Sequence, residues 1–494
     1  FEDTPQRITT DTTNQQAPYY SYYDGKANTL LLYPAGTTPG WPPNEERNLQ
    51  WDGYGSVTKL NDHHYTYGYY VSAAALMTYA DPSFGDNYKY VINQLIFDVA
   101  YDPDTCSQIP HLAFPKTRLW DSYTGHCQAS GMTYTDYSGN SDESISEEIQ
   151  FWAGVIRWGT ATDQNEITNL GVTRYTQAVY AYYTYWRDYF NTYPALWVQA
   201  KGPGFDPGWI SLAYVPQIWD GKAKTSTFFG TYPTGESVIT SLPATSASFY
   251  QAIDKSWITS YTTAYEAYLK KWNMDPQHPQ GYSAADPTQP WYSQLAYYGE
   301  MACWYAMADP SGALSKFFPL DPTTALTPDP TYQTLPINVY TEKGKDAAQV
   351  YHFVRFLQDY GVPEPLAAFA TNTPYSMVFV KNGVKTYVGF NPGAAMMDIR
   401  FNDGTVIANV SPRQFGFWPV GAPEPVQASF TVSPESGSSP LVVTFTDTSK
   451  GSLTGWAWTF GDGGSSSEQN PVHTFTSPGA FEVNLTVTDV SSKT

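Results

Sequence analysis

Apolar residues along the chain follow two periods, one typical of helices and one typical of strands. Between about residues 62 and 365 the period is that of an α-helix, about 3.6 residues, in segments separated by loops that contain Pro or Gly. Many helices joined by long loops suggest an (α/α)6-type toroid, and the fold class is therefore mainly α in this part. The period predicts helices at 65–79, 88–99, 144–159, 165–189, 246–272, 292–307 and 346–360.

Apolar and polar residues alternate in two later segments, as they do in strands with one buried face. The first contains Asn382-Gly383 and Asp403-Gly404, which are turn sequences of β-hairpins. The second follows the Pro-containing stretch 421–426 and consists of short runs at about ten-residue spacing, a pattern of an all-β sandwich. The predicted units are an irregular segment (1–60), the toroid (61–370), its β appendage (371–421) and an Ig-like sandwich (426–494).

The chain is strongly acidic and rich in aromatic residues. Its 494 residues include 26 Lys plus Arg against 46 Asp plus Glu, a formal net charge of −20, which disfavours nucleic acid and anionic membrane surfaces as partners. The 41 Tyr and 16 Trp are interleaved with small polar residues, a mixture that suits a sugar-binding cleft but also fills large cores. No apolar run reaches the roughly 18 to 20 residues of a membrane span.

Three carboxylates stand out in an aromatic neighbourhood: Asp62, Glu143 and Glu147. Because Glu143 and Glu147 are four positions apart at the start of a predicted helix, both can face one cleft. Two carboxyl groups are what glycoside hydrolysis requires, one as an acid and one as a nucleophile or base. The alternative is structural, since Asp62 also suits a helix N-cap and Glu143 the first turn of a helix.

Other chemistry has weaker support in the sequence. His63 and His64 are adjacent and lack a helical HxxxH partner, so we expect no metal and no organic cofactor. There is no GxSxG elbow, phosphate-binding loop or dinucleotide fingerprint. Cys106 and Cys127 flank one loop-rich segment, where a disulfide and free thiols are both open, while Cys303 suits a buried thiol.

Several motifs follow one another in order along residues 20 to 420, and five or more ordered motifs are hard to obtain by chance. They are NTLLLYPAG (28–36), LNDHHYTYGY (60–69), GHCQASG (125–131), ESISE (143–147), TFFG (227–230), LPATSAS (242–248) and GFNP (389–392). Together they resemble the motifs of glycoside hydrolase family 81, the inverting endo-β-1,3-glucanases. A second set in the last segment, WAWTFGDG (456–463), NPVHTF (470–475) and VNLTV (483–487), resembles a PKD domain.

The family resemblance implies a role for each matching residue. Asp62 would be the general acid with a raised pKa, and Glu147 or Glu143 the base that activates water, with a slight preference for Glu147. The resemblance implies a cleft lined by His63, His64, Asp121 and His126, with Tyr65, Tyr67, Tyr69, Trp120 and Trp152 as candidates for stacking on sugar rings or for the layer that supports them.

The chain departs from the family pattern in ways that leave its activity open. Thr66 stands where the family usually has a third histidine, and Cys127-Gln128 replaces Ser-Trp. Family members usually carry further structure before the NDHHY motif, so we expect an upstream region, removed or on a separate chain, and further PKD modules are possible partners. The expected function is secreted or cell-surface hydrolysis of β-1,3-glucan. The alternative is a catalytically weakened surface or matrix protein that binds glycans with the same fold.

Overall fold

The helices of the structure follow the predicted period closely. A computed structural model describes residues 22–24, 29–31, 61–130, 140–190, 215, 217–219, 222–224, 239–273, 298–317, 347–419, 428–449 and 453–489. The start of the helix predicted at 292–307 lies outside these residues. The described helices are α1 (His63–Ala80), α2 (Pro82–Ala100), α3 (Pro103–Cys106), α4 (Ile145–Ala161), α5 (Asn165–Ala181), a π-helical turn (Tyr182–Trp186), a 3-10 helix (Ser246–Asp254), α6 (Lys255–Asn273), α7 (Tyr298–Ala306), α8 (Pro310–Phe317) and α9 (Ala347–Tyr360).

Short antiparallel strand pairs lie within the helical part of the chain. One of them lies in the N-terminal segment, for which the sequence predicts irregular structure. The others connect loops that flank α4. These strands are β1 (Tyr22–Asp24) with β2 (Thr29–Leu31), β3 (Trp120–Asp121) with β4 (His126–Cys127), and β5 (Ser141–Asp142) with β6 (Gln217–Trp219) and β7 (Lys222–Lys224).

Helices α1 and α4 run parallel and very close together. Contacts between them advance in the same direction, from Tyr69 with Glu147 to Tyr79 with Thr160. The close approach depends on glycine, because a Cβ on Gly154 would lie 2.6 Å from the Oγ of Ser72. Parallel helices have their N-termini at the same end, so the residues that begin α1 and α4 are neighbours in space.

The β appendage begins earlier than the sequence predicted, at residue 362. Its strands form a four-stranded sheet and a two-stranded one, and Asn382 and Gly383 both have positive φ, as the predicted tight hairpin turn requires. Phe379 and Val388 share a hydrophobic core with α7 and α9, so the appendage packs on the helices. The strands are β8 (Val362–Pro363), β9 (Ser376–Lys381), β10 (Val384–Phe390), β11 (Met397–Arg400), β12 (Val406–Val410) and β13 (Phe415–Trp418).

The last segment forms two three-stranded sheets around a small aromatic core. Trp458 is buried among Phe445, Phe460 and Phe475, whereas Trp456 is partly buried and donates a hydrogen bond to Asp447 at 2.7 Å. The strands are β14 (Phe430–Ser433), β15 (Leu441–Asp447), β16 (Leu453–Thr459), β17 (Ser465–Ser466), β18 (Val472–Phe475) and β19 (Asn484–Asp489).

The cysteines remain thiols in this fold. Cys106, Cys127 and Cys303 are all free and buried, so the disulfide considered for the first two is absent. Cys303 lies in the core that α7 shares with α9, as expected for a buried thiol. Across the described helices, the length and apolar character needed to cross a membrane do not occur together.

Candidate active site

Asp62 stands immediately before α1 and has an unusual backbone conformation. Its φ of 61° and ψ of 17° are left-handed, which is uncommon for a residue other than glycine and often marks a functional position. Its backbone N–H donates to the carbonyl oxygen of Ala129 at 2.8 Å. Its side chain makes no capping hydrogen bond, so the structural interpretation of Asp62 as a helix cap is wrong.

The two glutamates lie at the start of α4, at the same end of the helix pair as Asp62. Glu143 precedes Ser144, the N-cap residue, and Glu147 lies in the first turn. The Tyr65 hydroxyl of α1 holds this segment, because it donates to the carboxylate of Asp142 and accepts from the backbone N–H groups of Glu143 at 3.4 Å and Ser144 at 3.3 Å. One buried hydroxyl therefore joins the two helix starts.

Glu147 is fixed by hydrogen bonds to both of its carboxylate oxygens. The Tyr69 hydroxyl donates to Oε1 at 2.6 Å, and the Ser144 hydroxyl donates to Oε2 at 2.5 Å. Tyr69 is half exposed and lies on α1, one turn beyond Tyr65. The carboxylate is thus oriented before any ligand binds, which is the requirement for a group that must hold water in one position.

Burial and mutual repulsion perturb the carboxyl groups of this site. Burial raises the pKa of Asp62 well above its usual range, and the negative charges of Glu143, Glu147 and Asp142 raise it further. The pKa of Glu147 is also raised, chiefly by burial, although the hydrogen bonds from Ser144 and Tyr69 oppose this. The side chains of Asp62, Glu143 and Glu147 nevertheless remain partly accessible to solvent. An accessible acid that keeps its proton, beside oriented carboxylates, is suited to acid–base chemistry.

Tyr65→Phe is expected to lower the free energy of unfolding by about 1–3 kcal/mol, because it leaves buried polar groups of the α4 start without their partner. Thermal or denaturant unfolding of the whole chain measures this change. Tyr180→Phe, at an exposed position, serves as the control and should leave stability nearly unchanged. Equal stability of the Tyr65→Phe variant and the unmodified protein would contradict the anchoring role.

Most of the side chains expected to line the cleft are instead buried. His63 is 2% exposed, and its Nδ1 lies 2.6 Å from an oxygen of Asp98 in the core. His64 and His126 are equally buried. Asp121 is partly accessible and accepts a hydrogen bond from the backbone N–H of Tyr123. The side chains of all three histidines are therefore enclosed by protein, and their role in lining a cleft stays a prediction.

Except for Tyr69, the aromatic side chains predicted to stack on sugars or to support the cleft are also buried. Tyr67, Trp120 and Trp152 belong to the main hydrophobic core, and the rings of the two tryptophans pack edge to face at 5.6 Å. Tyr65 is buried and holds the start of α4. Their faces are covered by protein, so only the supporting role remains. Tyr69 is the residue of the same motif whose ring reaches the surface.

A buried polar cluster lies against the starts of α1 and α4. His126 in β4 places its Nδ1 at 2.7 Å from the carbonyl oxygen of Cys127 and 3.1 Å from Asp142 Oδ2. Although burial opposes its charged form, contact with Asp142 raises the pKa of His126. Burial lowers the pKa of His64 to about 3, so that ring is neutral. The members of this cluster are His64, His126, Cys127, Asp142 and Glu148.

Glu148 is, with Asp142, one of two fully buried carboxyl groups in this cluster. It accepts hydrogen bonds from the backbone N–H of Cys127 at 2.8 Å and from the indole N–H of Trp152 at 3.0 Å. Burial raises its pKa to about 8, with a further contribution from Asp142. Glu148 was not among the residues predicted from the sequence. Helical spacing alone does not tell whether a carboxyl group on the helix points into the protein or towards solvent, because that depends on what packs against the helix.

Comparison with known proteins agrees with the family resemblance of the sequence motifs. Residues 43–278 match the family model of the glycosyl hydrolase family 81 C-terminal domain, and residues 421–494 match that of the PKD domain. The chain therefore carries a family 81 C-terminal domain followed by a PKD domain, as the motifs predicted.

Two bacterial relatives and one solved structure are similar over most of the chain. A glucan endo-1,3-beta-D-glucosidase of Acetivibrio thermocellus is 28% identical over 78% of this chain and 40% of its own length. A protein of the same name from Thermobifida fusca is 26% identical over 81% of this chain and 43% of its own length. The structure of a family 81 glycoside hydrolase from Clostridium thermocellum superposes with a TM-score of 0.58 and 28% identity, covering 80% of this chain and 45% of that one. This chain thus spans about two fifths of the relatives it matches.

Proposed function

We propose that this chain hydrolyses internal β-1,3 linkages of a glucan by an inverting mechanism that uses two carboxyl groups. One observation carries the proposal: the partly accessible Asp62 carboxyl lies within the electrostatic influence of Glu143 and Glu147, at the shared N-terminal end of α1 and α4. The two bacterial relatives are glucan endo-1,3-beta-D-glucosidases, which supports this polymer and this linkage.

In this mechanism Asp62 is the general acid, and Glu147 or Glu143 is the general base. The raised pKa of Asp62 keeps a proton available for the departing glycosidic oxygen. The base takes a proton from a water that attacks the opposite face of the sugar, which requires carboxyl groups roughly 6.5–9.5 Å apart. The hydrogen bonds from Tyr69 and Ser144 to Glu147 favour it as the base, and Glu143 then orients the water or the sugar.

The wider architecture follows the same proposal. Each of the parallel helices α1 and α4 is followed directly by another helix, α2 and α5, and this alternation supports an (α/α)6-type barrel with the starts of α1 and α4 at one rim. The relatives are longer than this chain, so we infer that further protein, on the same or another chain, completes the catalytic domain. A polysaccharide substrate implies a secreted or cell-surface location. The division of the chain into an N-terminal segment (1–60), the helical barrel (61–370), its β appendage (371–421) and an Ig-like sandwich (426–494) is part of this proposal.

The direct test is to incubate the purified chain with laminarin and to measure reducing ends and product lengths. NMR spectra recorded in the first minutes should show the α-anomer, because inversion converts a β-linkage into an α-hemiacetal. Glucans with β-1,4 and mixed linkages serve as matched substrates and should be cleaved slowly or not at all. Binding of laminarin without any cleavage would instead support the alternative, a glycan-binding surface or matrix protein.

The rate is expected to depend on pH as a bell-shaped curve, and Tyr69→Phe should move its acidic side. Activity falls as pH rises through the pKa of Asp62, because the acid loses its proton, and it falls as pH decreases through the pKa of the base. The Tyr69 hydroxyl lowers the pKa of Glu147, so its removal should shift the acidic side to higher pH.

The alkaline side of the curve serves as the internal reference for this variant and should stay in place. Tyr180→Phe, also on an exposed face, should leave both sides unchanged. An unchanged acidic side in Tyr69→Phe would exclude Glu147 as the base and assign that role to Glu143.

A further inference from the structure

Three buried side chains from separate parts of the chain converge on one point beside α1 and α4. They are His64 of α1, Cys127 of β4 and Glu148 of α4, and their ligand-type atoms all lie within 4.8 Å of one another. All three side chains are completely buried. A nitrogen, a sulfur and a carboxylate oxygen are thus brought together by the packing of three elements.

The environment of His64 is an independent indication that this cluster binds a ligand. Among the residues that the structure describes, neither of the ring nitrogens of His64 has a hydrogen-bond partner, although the side chain is fully enclosed. Leaving a buried polar group unsatisfied costs about 1–3 kcal/mol, and native proteins seldom tolerate it. One nitrogen of a neutral imidazole is a lone-pair donor, which is the form that binds a metal.

We propose that His64, Cys127 and Glu148 bind a zinc-class divalent cation. Imidazole, thiolate and carboxylate are the ligands of protein zinc sites, whereas calcium and magnesium require oxygen ligands. Zinc bonds of about 2.0–2.3 Å place neighbouring ligand atoms roughly 3.5 Å apart in a tetrahedron, a separation that lies within the 4.8 Å limit on the distances between these three atoms. The ion would bind Glu148 as a carboxylate and Cys127 as a thiolate, with release of their protons, and its two positive charges would offset the two negative charges formed.

His126 and Asp142 supply the surroundings that such a site needs. They form a second group with the same Glu148, and these ligand-type atoms also lie within 4.8 Å of one another. One of the two can provide the fourth ligand, and the other a hydrogen bond that orients the first ligands. Asp142 also accepts a hydrogen bond from the Tyr65 hydroxyl. The ion would therefore connect β4 to the start of α4. The site does not depend on the proposed hydrolysis and is tested separately.

The metal content of the whole chain tests the proposal first. The protein is dialysed against a chelator, supplied with Zn²⁺ and passed through a desalting column. Elemental analysis should then find about one zinc per chain, and thermal unfolding should occur at a higher temperature than for the chelator-treated protein. Co²⁺ in place of Zn²⁺ should produce a near-ultraviolet absorption from cysteine thiolate to cobalt. No bound zinc and no such absorption in the folded, unmodified chain would overturn the proposal.

Two matched cysteine variants then locate the ion. Cys127→Ala should remove the cobalt–thiolate absorption and most of the zinc. Cys106→Ala deletes another fully buried thiol of the same hydrophobic core and should retain both. If Cys127→Ala fails to fold, His64→Ala provides the second test, with the same loss of bound zinc. One zinc per chain retained in folded Cys127→Ala would overturn the assignment to this cluster.

Discussion

Asp62→Asn is expected to lower kcat on laminarin by roughly 10²–10⁴-fold, the usual contribution of a general acid. An amide has the same shape as the carboxyl but carries no proton for the departing oxygen. Asn also adopts the left-handed backbone conformation readily, so the α1 start should be preserved. Initial rates of reducing-sugar release measure the loss, and binding of laminarin should persist.

The same substitution should make the protein more stable at neutral pH. The pKa of Asp62 is raised in the folded state, so the folded chain holds this proton more tightly than the unfolded chain. The free energy of unfolding therefore decreases as pH rises above the ordinary pKa of aspartate, and a neutral amide avoids that loss. Asp86→Asn, at an exposed position, is the control and should change neither activity nor stability. Full activity in Asp62→Asn would remove Asp62 from the mechanism.

Glu147→Gln and Glu143→Gln, made separately, should both reduce activity, and only one should respond to an added nucleophile. Loss of the general base is expected to reduce kcat by roughly 10²–10⁴-fold. Sodium azide needs no base, so it should restore turnover in the variant that lacks the base and form a glycosyl azide. We expect this rescue in Glu147→Gln, because Tyr69 and Ser144 hold that carboxylate in place.

Rescue in Glu143→Gln alone would exchange the two roles while leaving the two-carboxylate mechanism intact. Near-normal activity in both variants would contradict the mechanism itself. Glu166→Gln, in the first turn of α5, offers a control with the same chemical change at a helix start away from the site. It should retain the activity of the unmodified chain.

The helices could be predicted from the sequence, and the three carboxylates could be selected as candidates, because both depend on local patterns. A period of about 3.6 residues reports which face of a segment is buried, and it located α1, α4, α9 and the combined span of α5 and its π-helical turn to within a few residues. Asp62 and Glu147 were selected because a charge is conspicuous in an aromatic stretch. The Asn382-Gly383 turn was predictable for the same reason, since its conformation is set by two adjacent residues.

The surroundings of the carboxylates could not be predicted in this way, because they depend on contacts between distant segments. The sequence around Trp120 and Trp152 is the same whether their rings stack on a sugar or pack against each other. Only the packing of β3 on α4 shows that the two rings contact each other. The buried polar cluster joins His64 to Glu148, which are separated by a long stretch of chain. No spacing rule connects such residues before the fold is known.

The positive φ of Asp62 has a consequence for which amino acids this position accepts. Aspartate adopts this left-handed backbone conformation more readily than glutamate, because its short side chain can form a hydrogen bond with the nearby backbone. Glutamate at position 62 would therefore cost conformational free energy. Lengthening the acid by one methylene would thus disturb the main chain as well as the reach of the proton. A glutamate at this position would have similar acidity but a different backbone preference. The presence of aspartate therefore reflects the backbone geometry as much as the acidity of the side chain.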